Sequence, residues 1–120
     1  MQCRYKAIVV VDGNSLADRF PAQLASNSII FKQDSDNVEF WYEEAIPYVH
    51  YIPFRNDLSN LEAQLERVLA NDTFMQEIVL SANEFALRRL NPEIIKCYWA
   101  QLLQAYSMSV SLSTPHKIYA

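Results

Sequence analysis

Tyr5-Lys6-Ala7-Ile8-Val9-Val10-Val11-Asp12-Gly13-Asn14-Ser15 is the stretch on which the fold turns. Ala7 to Val11 is the longest uninterrupted apolar run of the chain, and it ends in Asp-Gly-Asn, the composition of a tight turn. A continuous β-branched run reads as a strand buried on both faces, the habit of parallel sheets. Gly13 is the only glycine among 120 residues. It reads as a backbone position where a Cβ does not fit, and helices elsewhere must close on Asn, Ser or Asp.

Outward from this turn, Ser15 to Ser26 carries Leu16, Phe20 and Leu24 at helical spacing, with Pro21 placing the true start near Asp18. Ser28 to Lys32 reads as a second strand, followed by the polar stretch Gln33 to Asn37. Val38 to Ala45 reads as a short aromatic helix and Val49 to Phe54 as a third strand ending near Pro53. The remainder is helical. Ser59-Asn60-Leu61-Glu62 is a capping box before Leu61, Leu65, Val68 and Leu69. Thr73 to Gln76 caps a helix with Ile78, Val79, Ala82, Phe85 and Ala86. Asn91-Pro92-Glu93 pairs an N-cap with proline in the first turn, opening a helix to about Met108. Strand, helix, strand, helix, strand and then helices is the pattern of an α/β fold, a Rossmann-like parallel sheet with flanking helices. One domain over residues 1–108 and a loose, Ser-rich tail over 109–120 are expected.

Composition removes several classes of function. The chain is 51% hydrophobic and 20% charged, too apolar for disorder. A net charge of −4 without a basic stripe excludes nucleic acid as partner. No apolar run approaches the roughly 20 residues that span a bilayer, so no membrane span is expected. Met1 to Lys6 has neither the length nor the cleavage site of a signal peptide. Cys3 and Cys97 lack a metal or redox spacing, and their state stays open.

In such folds ligands sit beyond the carboxyl ends of the strands, so two polar turns carry the chemistry, Asp12 to Arg19 and Gln33 to Glu39. In the first, backbone N–H groups and the Arg19 guanidinium supply donors for a diphosphate. The bland reading pairs Arg19 with Asp12 or Asp18. Asp34-Ser35-Asp36 has the DxD form that holds a divalent cation, yet it reads as a capping turn. Of Phe40-Trp41-Tyr42, at least one is core. His50 reads as structural, and Asn71-Asp72-Thr73 fits an N-glycosylation sequon.

Taken together, these stretches resemble one family. Tyr5-Lys6, Val11-Asp12-Gly13-Asn14, Arg19-Phe20, Ser28, Phe31-Lys32-Gln33, Glu39-Phe40, Tyr42, Pro47 to Pro53, Asp57 to Leu61, Asn71-Asp72, Cys97-Tyr98-Trp99, Leu103 and Tyr106 follow one another as in the C-terminal segment of family 90 glycosyltransferases. That family includes the protein O-glucosyltransferases and capsule-associated or lipopolysaccharide-modifying relatives. The likeness covers residues 5 to 107, with Lys32 to Ser35 and Val49 to Pro53 similar to the enzymes that modify EGF repeats. It implies the C-terminal half of a GT-B glycosyltransferase, binding a UDP-sugar and transferring glucose or xylose with inversion to a protein serine or glycan hydroxyl. No metal or other cofactor is implied. The donor-binding set it implies is Gly13, Asn14, Ser15, Arg19, Gln33, Ser35 and Glu39, with Arg19 at the diphosphate and Glu39 near ribose hydroxyls.

Two positions depart from the family pattern: Ala17-Asp18 precedes the arginine where an aromatic is usual, and Tyr48 replaces a tryptophan. The acceptor-binding half and its general base are expected outside this chain, which would then bind donor without completing transfer. A eukaryotic member would work in the endoplasmic reticulum or Golgi lumen. Two rival readings remain at this stage. One is a non-catalytic truncated relative acting as a structural or interaction module. The other is a receiver-like domain phosphorylated on Asp12, which lacks both the acidic pair and the lysine such domains need.

Overall fold

The computed structural model describes residues 5–110. Strands β1 (Ala7–Val10), β2 (Ile29–Asp34) and β3 (Ile52–Arg55) form one parallel sheet in chain order. Val10 lies opposite Lys32, and Phe31 opposite Ile52. The connections carry α1 (Phe20–Leu24) and a single 3-10 turn (Tyr42–Glu44). After the sheet come α2 (Leu61–Leu69), α3 (Asp72–Arg89) and α4 (Pro92–Ser109).

Strand alternation divides the core in two. Val10 and Ile30 pack with Ala17, Phe20, Leu24 and Trp41 from the crossover segments. On the opposite face Ile29, Phe31, Ile52 and Phe54 pack on Val68 of α2 and on Met75 and Ile78 of α3. α3 serves both clusters, because Ala82, Phe85 and Ala86 from its second half join the first. It reaches both by running beneath the N-terminal ends of the strands. Lys6, just before β1, pairs with Asp72 at 2.6 Å. Asn27, before β2, accepts from the Asn83 amide. His50, before β3, stacks on Phe85 at 4.6 Å. One end of the sheet is therefore braced, and the carboxyl ends stay open.

The chain divides into a body ending at Leu90 and a second unit from Asn91 that holds α4. Asn91 caps α4 as its sequence requires, accepting from the Glu93 and Ile94 N–H groups at 3.1 and 3.0 Å. No side chain of α4 is buried. The expected loose tail lies, from residue 111 onward, outside the described residues.

Several elements differ from the sequence reading, each for a local reason. β1 is not buried on both faces: it is an edge strand, and Val9 and Val11 are each 38% exposed. The helix expected over 15–26 contracts to α1 because the Asp12 carboxylate captures the Ala17 N–H at 2.9 Å and holds the preceding residues as a loop. β2 runs on through Asp34, since Gln33 and Asp34 pair with Phe54 and Arg55. The aromatic helix is only the 3-10 turn, and β3 starts three residues late, after a loop in which Tyr48 takes φ 61°. The capping box does not form. Asn60 occupies the N-cap, but its side chain accepts from the Arg55 N–H at 2.7 Å instead. Asn71, not Thr73, caps α3 by accepting from the Phe74 N–H at 3.1 Å. Gly13 is not sterically confined either. A Cβ there would meet nothing within 4 Å, and its φ is not positive.

Candidate functional site

Asp12 is the organising side chain of the open end. It follows β1, and strand alternation puts it on the face of its neighbour Lys32. The Lys32 ammonium lies 3.3 and 3.2 Å from the two carboxylate oxygens and donates to the Gln33 carbonyl at 2.7 Å. The Ser35 hydroxyl donates to Asp12 Oδ2, and the Ala17 N–H to Oδ1. The two charged side chains are only 5% and 3% exposed. Burial raises the Asp12 pKa, but the bonds from Ser35, Ala17 and Lys32 and the ammonium charge outweigh it and hold the carboxyl below its usual range. Lys32 also lies over the Phe20 and Tyr42 rings, 5.9 and 5.7 Å from their centroids.

Gln33 ties the three strand ends together. Its Oε1 accepts from the Asp12 N–H at 2.9 Å, and its Nε2 donates to the Asn56 carbonyl and side chain, both at 2.9 Å. Between these ends opens a cleft of about 250 Å³. Phe20, Lys32, Tyr42 and Tyr51 form its walls, with Gln33 to Ser35 and Glu43 at the rim. The Tyr42 hydroxyl is buried and makes no hydrogen bond among the described residues, and its pKa is pushed up to about 12 by burial and the nearby carboxylates of Glu39 and Asp12. Burial, then Asp34, raises Tyr51 as well.

The expected site residues separate into three groups. Gln33 and Ser35 line the cleft. Gly13, Asn14, Ser15 and Arg19 lie on the exposed loop after β1 and are not among the residues that line it. The Gly13 N–H donates to the Ser15 carbonyl at 3.0 Å, and Arg19 Nη2 donates to the Val11 carbonyl at 3.1 Å. The guanidinium thus sits at the carboxyl end of β1, but it precedes a five-residue helix rather than lying inside a longer one. Glu39 lies further along the chain, with its carboxylate accepting from the Trp41 indole N–H.

Lys32 is the residue the sequence reading missed. A lysine inside Ile29-Ile30-Phe31-Lys32 was the trace in the sequence, and its pairing with Asp12, two residues beyond its register partner Val10, needed the register. It also supplies the lysine that the receiver-like reading lacked. With both Asp12 oxygens occupied, and no acidic neighbour among its partners, that carboxylate is still no phosphoacceptor. Asp34 and Asp36 are exposed, and among the described residues no group of three His, Cys, Asp or Glu side chains could hold a metal ion. Trp41 is the core aromatic, 3% exposed. His50 is structural: its Nδ1 accepts from the Ile46 N–H at 2.8 Å, and burial lowers its pKa. Cys97 is exposed and free; Cys3 lies outside the described residues.

Residues 1–117 match the family model described as glycosyl transferase family 90. The chain is similar to protein O-glucosyltransferase 1 of Bos taurus, 36% identical over 115 residues, which cover 96% of this chain and 29% of that protein. It is 39% identical to protein O-glucosyltransferase 2 of Danio rerio over 104 residues, 87% of this chain and 21% of the relative. O-glucosyltransferase rumi of Drosophila pseudoobscura pseudoobscura is 32% identical over 106 residues, 87% of this chain and 26% of that protein. The chain thus spans less than a third of the length of the curated relatives it matches.

Proposed function

The chain belongs to glycosyl transferase family 90, and from that premise we propose that it is the donor-binding part of an inverting, metal-independent GT-B glycosyltransferase. The whole enzyme moves glucose or xylose from a UDP-sugar to a protein serine or a glycan hydroxyl. Relatives named protein O-glucosyltransferase support the transfer to protein. The acceptor meets a part of the enzyme outside this chain, which also supplies the general base.

One observation carries the reading: the Arg19 guanidinium stands at the carboxyl end of β1 and, among the described residues, has the Val11 carbonyl as its one partner. The N–H groups of Asn14 and Ser15 make no hydrogen bond among the described residues. With no Cβ at Gly13, an anion can approach that backbone closely. Arg19 and these donors hold the diphosphate and stabilise the charge on departing UDP. Gln33 and Ser35 shape the rim for the nucleoside, and Glu39 offers a carboxylate to ribose hydroxyls.

UDP titration followed by amide and arginine side-chain NMR tests this. Weak, millimolar-range binding with shifts at residues 13–19 is expected. Arg19→Ala should weaken it about tenfold, the effect of one charge-assisted contact, while the melting temperature holds. Silence around Arg19 at millimolar UDP would refute the proposal. A second reading, an interaction module, rests on α4, where Trp99, Leu103 and Tyr106 are 49–66% exposed. Unchanged UDP shifts in Arg19→Ala would favour it.

A further inference from the structure

We propose that Lys32 is a positioning residue: by engaging Asp12 it keeps the neighbouring Arg19 guanidinium available to an anionic ligand. The anion is the diphosphate of the donor reading above, on which this inference rests.

The argument begins with proximity. Arg19 donates to the carbonyl of Val11, the peptide that leads directly into Asp12, so the guanidinium is held against the backbone that carries this carboxylate. An arginine beside an unoccupied carboxylate closes on it, often through two parallel hydrogen bonds. Arg19 does not. Among the described residues it forms no ion pair, although Asp12 and Asp18 are both near in sequence. Asp12 is unavailable because Lys32 reaches both of its oxygens, with the Ser35 hydroxyl and the Ala17 N–H on the remaining lone pairs.

Stability alone is a poor reason for this arrangement. Removing an ammonium and a carboxylate from water at 5% and 3% exposure brings little net gain over apolar side chains of the same volume. Gln33 already ties the strand ends without any charge. What the ion pair adds is neutrality. Asp12 and Lys32 cancel, so neither opposes the Arg19 charge at the end of β1. Without Lys32, Asp12 would both repel a diphosphate and compete with it for the guanidinium.

Lys32→Gln retains a hydrogen-bond donor for Asp12 and loses the charge. It should bind UDP and inorganic pyrophosphate about tenfold more weakly than the parent chain. Relative to the parent at the same pH, the affinity should recover toward acid pH as Asp12 protonates. Lys32→Arg should bind like the parent, and Asp12→Asn in the Lys32→Gln background should restore binding. Parent-like binding by Lys32→Gln, or persistent weakness of the folded double variant, would overturn the proposal. If Lys32→Gln does not fold, the double variant alone decides by the same criterion. If the parent binds neither probe, the donor reading falls by itself, and ligand-free NMR of the Arg19 Nε–Hε group judges the positioning role. A shift in Lys32→Gln that reverts in the double variant sustains it; an unmoved resonance overturns it.

Discussion

Phe20→Ala should remove a large part of the stability of the body up to Leu90. Phe20 is 1% exposed. Its ring meets Trp41, Tyr42 and Tyr51 at centroid distances of 5.4, 5.7 and 5.6 Å, the latter two edge-on. Truncating a buried phenylalanine costs about 3–5 kcal/mol through lost transfer free energy and the cavity left behind. The upper half of that range applies here, because the edge-on rings contribute beyond area and α1, at five residues, has no stability of its own to hold them. Against the roughly 5–10 kcal/mol expected for a domain of this size, a loss of about 4 kcal/mol leaves a marginal fold. Urea unfolding followed by Trp41 fluorescence in a Trp99→Phe background measures it. With a slope of about 1 kcal/mol/M, the midpoint should fall by about 4 M, or the variant should be unfolded in buffer. A fall of less than ~1 M at unchanged slope would show that Phe20 is not the keystone of this cluster.

Three further outcomes are expected. The Asp12 carboxyl, held below its ordinary 3.8, contributes stability that is complete above about pH 4 and is lost as pH falls through its folded value. Acid unfolding below pH 4 should therefore be shallower in the Lys32→Gln/Asp12→Asn variant, and an identical acid limb would contradict this. His50 is lowered from 6.5 by burial, so the unfolded chain binds its proton first. Its contribution is complete above about pH 6.5 and declines as pH drops below that, a slope that His50→Gln should flatten in melts between pH 5 and 7. Leu58 is held at φ 64° with no glycine to relieve it. Leu58→Gly removes about 1–2 kcal/mol of left-handed strain and adds about 0.5–1 kcal/mol of chain entropy cost, for a net gain of about 0.5–1 kcal/mol. A lower melting temperature would show that its half-exposed side chain packs usefully.

Pattern-level features were legible in the sequence, and those decided by competition between partners were not. The β-branched run before Asp12 and the two later strands announced a parallel sheet, and Asn91-Pro92 announced α4, because each signal is local. The capping box at Ser59 failed because the Asn60 side chain was claimed by the Arg55 N–H at the end of β3. The helix read over 15–26 kept Pro21 in its first turn but starts at Phe20, after the late start that the proline indicated, since Asp12 took the Ala17 N–H. The buried ion pair becomes readable only once the register is known, because Val10 opposite Lys32 is what places Asp12 on the lysine's face. Scarcity of glycine was half informative. Asn27 takes a positive φ as such a chain requires, but so do Tyr48 and Leu58, which no propensity scale would choose.

The two ends of the sheet obey different rules, and the difference locates function. At the N-terminal end a single helix spans all three strands through apolar packing, with a few polar contacts at its surface. At the carboxyl end the same distance is bridged by Asp12, Lys32, Gln33, Ser35 and Asn56, whose hydrogen bonds join every strand to the loop before α1. Ordering that loop costs about 1–2 kcal/mol per residue in backbone entropy, and it has no hydrogen-bonded helix to offset this. A chain selected for stability alone would shorten the loop or continue the helix into it. Holding residues 12–19 open with polar bonds, with the Arg19 side chain engaged among the described residues by one carbonyl, makes sense when the ordering is done in advance of a ligand. The affinity of the site then depends on how completely this knot is formed before the anion arrives.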